Sequence, residues 1–171
     1  MSLLSRTFAL VSRHERALAY LIALLTVLAC WALIFMDGGR IKSADEPGFL
    51  ENAQSLAFQG SFATAEGELT AYRAPGLSFF LAPFVRAGAG VTELRLANAV
   101  LVGLSLILIF HLVRRHFPSP AGLFAVTMIP LWPVVIYTAT TLYPQTLAGF
   151  LGLALQQSDL TQRRFWFWPL G

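Results

Sequence analysis

Residues 17–36, Ala17-Leu18-Ala19-Tyr20-Leu21-Ile22-Ala23-Leu24-Leu25-Thr26-Val27-Leu28-Ala29-Cys30-Trp31-Ala32-Leu33-Ile34-Phe35-Met36, pass twenty positions without a charged side chain. At a rise of ~1.5 Å per residue, a helix of that length covers about 30 Å, the thickness of a bilayer's hydrocarbon core. The run therefore predicts a membrane-crossing helix and sets the fold class, an all-α polytopic membrane bundle. Composition agrees: 56% of the 171 residues are hydrophobic and 12% charged, against about 25% charged in soluble domains. The net charge of +3 does not point to nucleic acid, because the basic residues flank apolar runs in pairs, as membrane proteins place them. The lone Cys30 excludes an intrachain disulfide. Val27-Leu28-Ala29-Cys30 faintly matches a lipoprotein cleavage site, but the apolar run continues to Met36, which fits a retained anchor.

Working outward, residues 96–113 form a second uncharged run, and no charged residue occurs over 117–158. The apolar part of that last stretch is too long for one crossing, and Pro130, Pro133 and Pro144 interrupt it. Two spans with a tight turn near 138–144 fit it best. The reading is a single membrane domain over 1–171, with spans at about 17–36, 96–113, 119–136 and 144–158 and an outer loop over 37–95. The twelve residues 74–85 are too few to cross and read as an interfacial helix. Charge sets the direction. With a cytoplasmic N terminus, the inner side carries seven arginines against two acids, and the outer side five basic residues against seven acidic ones, which satisfies the positive-inside rule. The expected location is the inner membrane, with the 37–95 loop facing outward. Trp166 and Trp168 read as an interface belt.

A loop of nearly sixty residues is usually functional or disordered, and this one has pattern. Ser43-Ala44-Asp45-Glu46 matches a capping box, with Ser43 as N-cap and Glu46 at the third helical position. Phe49, Leu50, Ala53, Leu56 and Ala57 then share a helical face, and Gly60 supplies a stop. Asp45 at the start of this amphipathic helix could act as a general base or a cation ligand, or simply as a cap. Arg73-Ala74-Pro75-Gly76 opens the second, almost wholly apolar helix. Arg73 there stands at headgroup depth, suited to pair with a phosphate or to neutralise lipid. No His/Cys cluster has metal spacing, and no phosphate loop or Ser/His/Asp arrangement is present. A transporter is disfavoured, because the predicted spans hold almost no polar residues.

The order of these features resembles the N-terminal part of the GT-C membrane glycosyltransferases, closest to family 39, the protein O-mannosyltransferase and aminoarabinose-transferase-like enzymes. The resemblance rests on Asp45-Glu46-Pro47-Gly48-Phe49-Leu50-Glu51-Asn52-Ala53-Gln54, then Arg73-Ala74-Pro75-Gly76-Leu77-Ser78-Phe79-Phe80, then Arg95-Leu96-Ala97-Asn98, Arg114-Arg115 and the Pro-rich hairpin. It covers about residues 15–165. It implies transfer of a sugar from a polyprenyl-phosphate donor to an acceptor hydroxyl of a glycan, lipid or protein on the outer face. Asp45 then maps to the position that activates the acceptor or helps bind a divalent cation, Glu46 to the accompanying acid, and Arg73 to a donor-phosphate position; no other cofactor is implied. Two positions depart from the pattern: Phe49 stands where a Tyr is common, and Gln145 where relatives often carry a second acid. Relatives also have more than twice as many spans, so the chain is expected to be the N-terminal portion of a larger enzyme, or else a truncated or non-catalytic subunit of an envelope glycan assembly.

Overall fold

A computed structural model describes residues 3–64, 67–70 and 72–158, with side chains from residue 14 onward. The described residues form helices α1 (Leu3–Asp37), α2 (Glu46–Gln59), α3 (Gly76–Arg86), α4 (Val91–His116), α5 (Ala121–Met128), α6 (Pro133–Ala139) and α7 (Pro144–Gln157), with a 3₁₀ turn at Ile129–Leu131 between α5 and α6. Apart from an isolated antiparallel bridge between Ala63 and Leu69, no extended pairing occurs among them. The predicted belt at Trp166 and Trp168, and Arg163 and Arg164, lie outside the described residues.

Two stretches are long and apolar enough to cross a membrane, His14–Asp37 and Val91–His116; a third qualifies if Ala121–Leu131 and Pro133–Ala139 are taken as one span bent by 72°. The first two match the runs read from sequence. Only 28% of the apolar window in His14–Asp37 is buried, so Leu21, Leu24, Leu25, Leu28 and Leu33 point outward. In water such a face would be a large unpaired apolar patch; in hydrocarbon it is matched to its surroundings. The third span expected over 119–136 is a pair of helices with a sharp bend between them, continuing to Ala139. Pro130 and Pro133 lack amide hydrogens, and the ladder breaks between them. Helix α7 starts at Pro144, as read from sequence, and has 14 residues, about 21 Å.

The core lies where α1, α4 and α5 meet. Ala19, Ala23, Leu106, Phe110 and Val126 form its inner cluster, and Cys30, Ile34, Ala99, Val102 and Ala139 the next one along. Small residues permit the approach of α1 and α4: a Cβ on Gly103 would stand 2.5 Å from Val27 Cγ2. At the 14–20 end, the buried Glu15 accepts a hydrogen bond from Arg114 at 2.8 Å and one from Ser119 at 2.6 Å. Helices α2 and α3 make a separate cluster around Phe49, Ala53, Ala57, Leu77, Leu81, Val85, Leu94 and Leu142. It sits over the other end of α4 and carries the candidate site.

Gly103→Leu is expected to force α1 and α4 apart and to destabilise the bundle by about 1–3 kcal/mol, as overpacking does. A lowered thermal midpoint in detergent, with Gly103→Ala intermediate, is the result to look for; an unchanged midpoint would refute this packing.

Candidate functional site

The site begins where α1 ends. Gly38 and Gly39, both with positive φ (59° and 76°), turn the chain back so that residues 40–46 run across the end of α4. Helix α2 does not open with the expected capping box. Its N-cap is Asp45, with φ −86° and ψ −24° and no side-chain capping bond, and Glu46 is its first residue. The Ser43 hydroxyl accepts the Asp45 amide at 3.2 Å and donates to the Tyr143 hydroxyl at 3.2 Å. The preceding turn, with the Glu46 amide donating to the Ser43 carbonyl at 3.3 Å, leaves Ser43 too far back to cap. Glu46 does reach backward, but to the Lys42 amide at 2.8 Å.

Glu46 is fully buried, and so is Arg95. Arg95 donates from Nη2 to Glu46 Oε2 at 2.8 Å and Oε1 at 3.1 Å, and from Nε to Oε1 at 3.2 Å. The same Nη2 donates to the Arg40 carbonyl at 2.6 Å. Glu46 Oε1 also accepts the Leu142 amide at 2.8 Å. One carboxylate thus ties together the linker after α1, the start of α2, the first turns of α4 and the turn between α6 and α7. Burial alone pushes the Glu46 carboxyl up; the hydrogen bonds from Arg95, Lys42 and Leu142 and the Arg95 charge outweigh it and hold the group below its ordinary value. One turn along α4, the buried Asn98 gathers the α6–α7 turn, with Nδ2 donating to the carbonyls of Thr138 at 2.9 Å and Thr141 at 2.7 Å. Sequence reading placed Arg95 in the loop, one residue ahead of a span starting at 96, and foresaw almost no polar residues in the spans. Helix α4 starts at Val91, so Arg95 and Asn98 are both intrahelical. Their distant partners, 49 and about 40 residues away in sequence, left no local signal.

Asp45 and Arg73 have a different environment. They are 28 residues apart in sequence, yet Arg73 Nη2 stands 3.5 Å from Asp45 Oδ1, with the Asp45 side chain 53% and the Arg73 side chain 25% exposed. The guanidinium lies over the ring of Phe49 at 5.7 Å and that of Tyr72 at 5.4 Å, as cation–π geometry allows. Gly48 makes this seat possible. A Cβ there would run into the Arg73 guanidinium, so the glycine is needed for close approach and not for its backbone angles. The structure therefore brings two of the three sequence-named residues together, Asp45 and Arg73, and turns the third, Glu46, inward to Arg95.

Among the described residues, no three His, Cys, Asp or Glu side chains converge as a metal site. A divalent ion at Asp45 would meet a carboxylate already beside Arg73, and the described residues do not form a cation site there. Gln145, at the position where a second acid was sought, lines an apolar groove of about 200 Å³ between α4, α6 and α7, with Thr138, Thr146 and Gly149 nearby. No family model, curated protein sequence or solved structure matches the chain.

Two outcomes are expected. Arg95→Met leaves the buried Glu46 without its partner and should cost about 3–5 kcal/mol. Because the Glu46 carboxyl is held below its ordinary 4.5, its contribution is fully present above that pH and is lost as pH falls through the lower, folded value. Thermal midpoints of the wild type should fall on acidification in that window, and those of Arg95→Met should not; parallel curves would refute the assignment. Separately, Gly48→Ala should displace Arg73 with little loss of stability, seen as changed Arg73 side-chain resonances in an NMR spectrum.

Proposed function

We propose that the chain is a membrane glycosyltransferase component that moves a sugar from a polyprenyl-phosphate donor to an acceptor hydroxyl on the outer face. The observation that carries this reading is the meeting of Asp45 with Arg73 at 3.5 Å on the α2–α3 layer, an acid and a phosphate-suited cation at one end of a bundle with apolar outer faces. The resemblance in motif order to the GT-C enzymes supports it. Helices α1, α4, the bent α5–α6 pair and α7 serve as four crossings, with the N terminus cytoplasmic and the inner membrane as location; the charge balance favours that direction. Helices α2 and α3 lie at the outer interface. The exposure of Phe79 (59%) opposite the buried Leu77 and Leu81, and of Phe84 (39%) at the edge of their face, leaves apolar surface on α3 that suits contact with lipid.

In this reading the acceptor oxygen attacks the anomeric carbon, and the bond from that carbon to the phosphate oxygen breaks with its electron pair leaving on the polyprenyl phosphate. The acceptor proton passes to the Asp45 carboxylate. Arg73 holds the phosphate and stabilises the charge it gains. Glu46 does not touch the reacting atoms; it positions Asp45, its neighbour in the chain, by fixing the start of α2.

Asp45→Asn is expected to abolish transfer from a polyprenyl-phosphate sugar in reconstituted membranes while protein level stays unchanged. Full transfer by the variant would sink this reading. The commitment of Glu46 to Arg95, which leaves Asp45 as the accessible carboxylate of the pair, favours the alternative of a non-catalytic membrane subunit. Under that alternative Asp45→Asn changes only stability, by the roughly 0–1 kcal/mol of an exposed ion pair.

A further inference from the structure

Arg73 has few free edges. Its Nη1, Cζ and Nε atoms abut Gly48, the rings of Phe49 and Tyr72 stand against the guanidinium, and Nη2 reaches Asp45. A bidentate grip on an anion uses two N–H groups along one edge of the guanidinium; both such edges, Nη1/Nη2 and Nε/Nη2, include Nη2, the atom that reaches Asp45. That hold is loose. At 3.5 Å it is well beyond the roughly 2.7–2.9 Å of a strong charge-assisted hydrogen bond, and it is made in partial contact with solvent. We propose that Asp45 and an incoming phosphate group compete for Nη2 of Arg73, so that binding of the phosphate releases the Asp45 carboxylate. The inference rests on the donor-phosphate reading of Arg73 and adds regulation to it. Before the donor arrives, Asp45 is turned to Arg73; once the phosphate takes the guanidinium, the carboxylate is free to accept the proton of an acceptor hydroxyl. Exchange of partners would thus couple donor binding to readiness of the base, and without donor the site would be held quiet.

The test is a double-mutant cycle on binding of farnesyl phosphate to the purified full chain in phospholipid-free detergent, with farnesol and inorganic phosphate as controls for hydrocarbon and phosphate alone. Asp45→Asn should bind farnesyl phosphate on the order of three- to tenfold tighter than wild type, and that gain should vanish in the Arg73→Gln background. A gain of the same size in both backgrounds would mean simple charge repulsion and would overturn the exchange, as would no gain in either. Farnesyl phosphate binding no tighter than farnesol to the wild type would overturn both the exchange and the phosphate role of Arg73. Thermal midpoints of the four proteins show that each is folded. Because the cycle involves no turnover, absence of sugar transfer in a separate assay would remove the transfer reading and leave the exchange standing.

Discussion

An arginine placed one turn inside an apolar helix must find a counter-charge, because neither hydrocarbon nor a packed interior solvates it. Here Arg95 of α4 finds Glu46, and the arrangement at that end of the bundle follows from that demand. Glu46 can meet Arg95 only if the chain doubles back after α1, which the two left-handed glycines Gly38 and Gly39 permit. The carboxylate has acceptor sites beyond those Arg95 fills, and the Lys42 and Leu142 amides occupy them. Leu142 thereby docks the α6–α7 turn, and Asn98 holds the same turn by its carbonyls. A buried pair of this kind adds little net stability over an apolar pair of equal volume. It does fix which segments meet.

The neighbouring carboxylates of Asp45 and Glu46 show how far one peptide unit can separate roles. Glu46 is sealed, with Arg95 and two backbone donors, and has no capacity left for chemistry. Asp45 is half exposed, makes no side-chain capping bond, and faces a cation that itself lies over two aromatic rings.

Much of the outline was legible in the sequence, because the signals are local. Uncharged runs marked α1 and α4, Pro144 marked the start of α7, and Gly60 marked the end of α2. Asp45 and Arg73 stood out singly, one by its place at a helix start and one by its place before an apolar helix. What sequence reasoning missed is long-range. The Ser-x-x-Glu pattern has a satisfying local explanation, so nothing in it suggests that Glu46 belongs to an arginine 49 positions on. Counting the span from residue 96 set Arg95 aside as an ordinary boundary charge. Gly48 is mute in sequence and acquires a reason only when Arg73 lies against it.

The connectivity of Glu46 also orders the making of the protein. A ribosome releases α1, the linker and α2 well before Arg95, and Arg95 well before Leu142. Until α4 is in place, Glu46 is a carboxylate without its cation, best kept in water; the Leu142 amide arrives last. The last donor to Glu46 is thus delivered by the α6–α7 turn, which makes the C-terminal part of the described chain a latch on a layer encoded near its beginning.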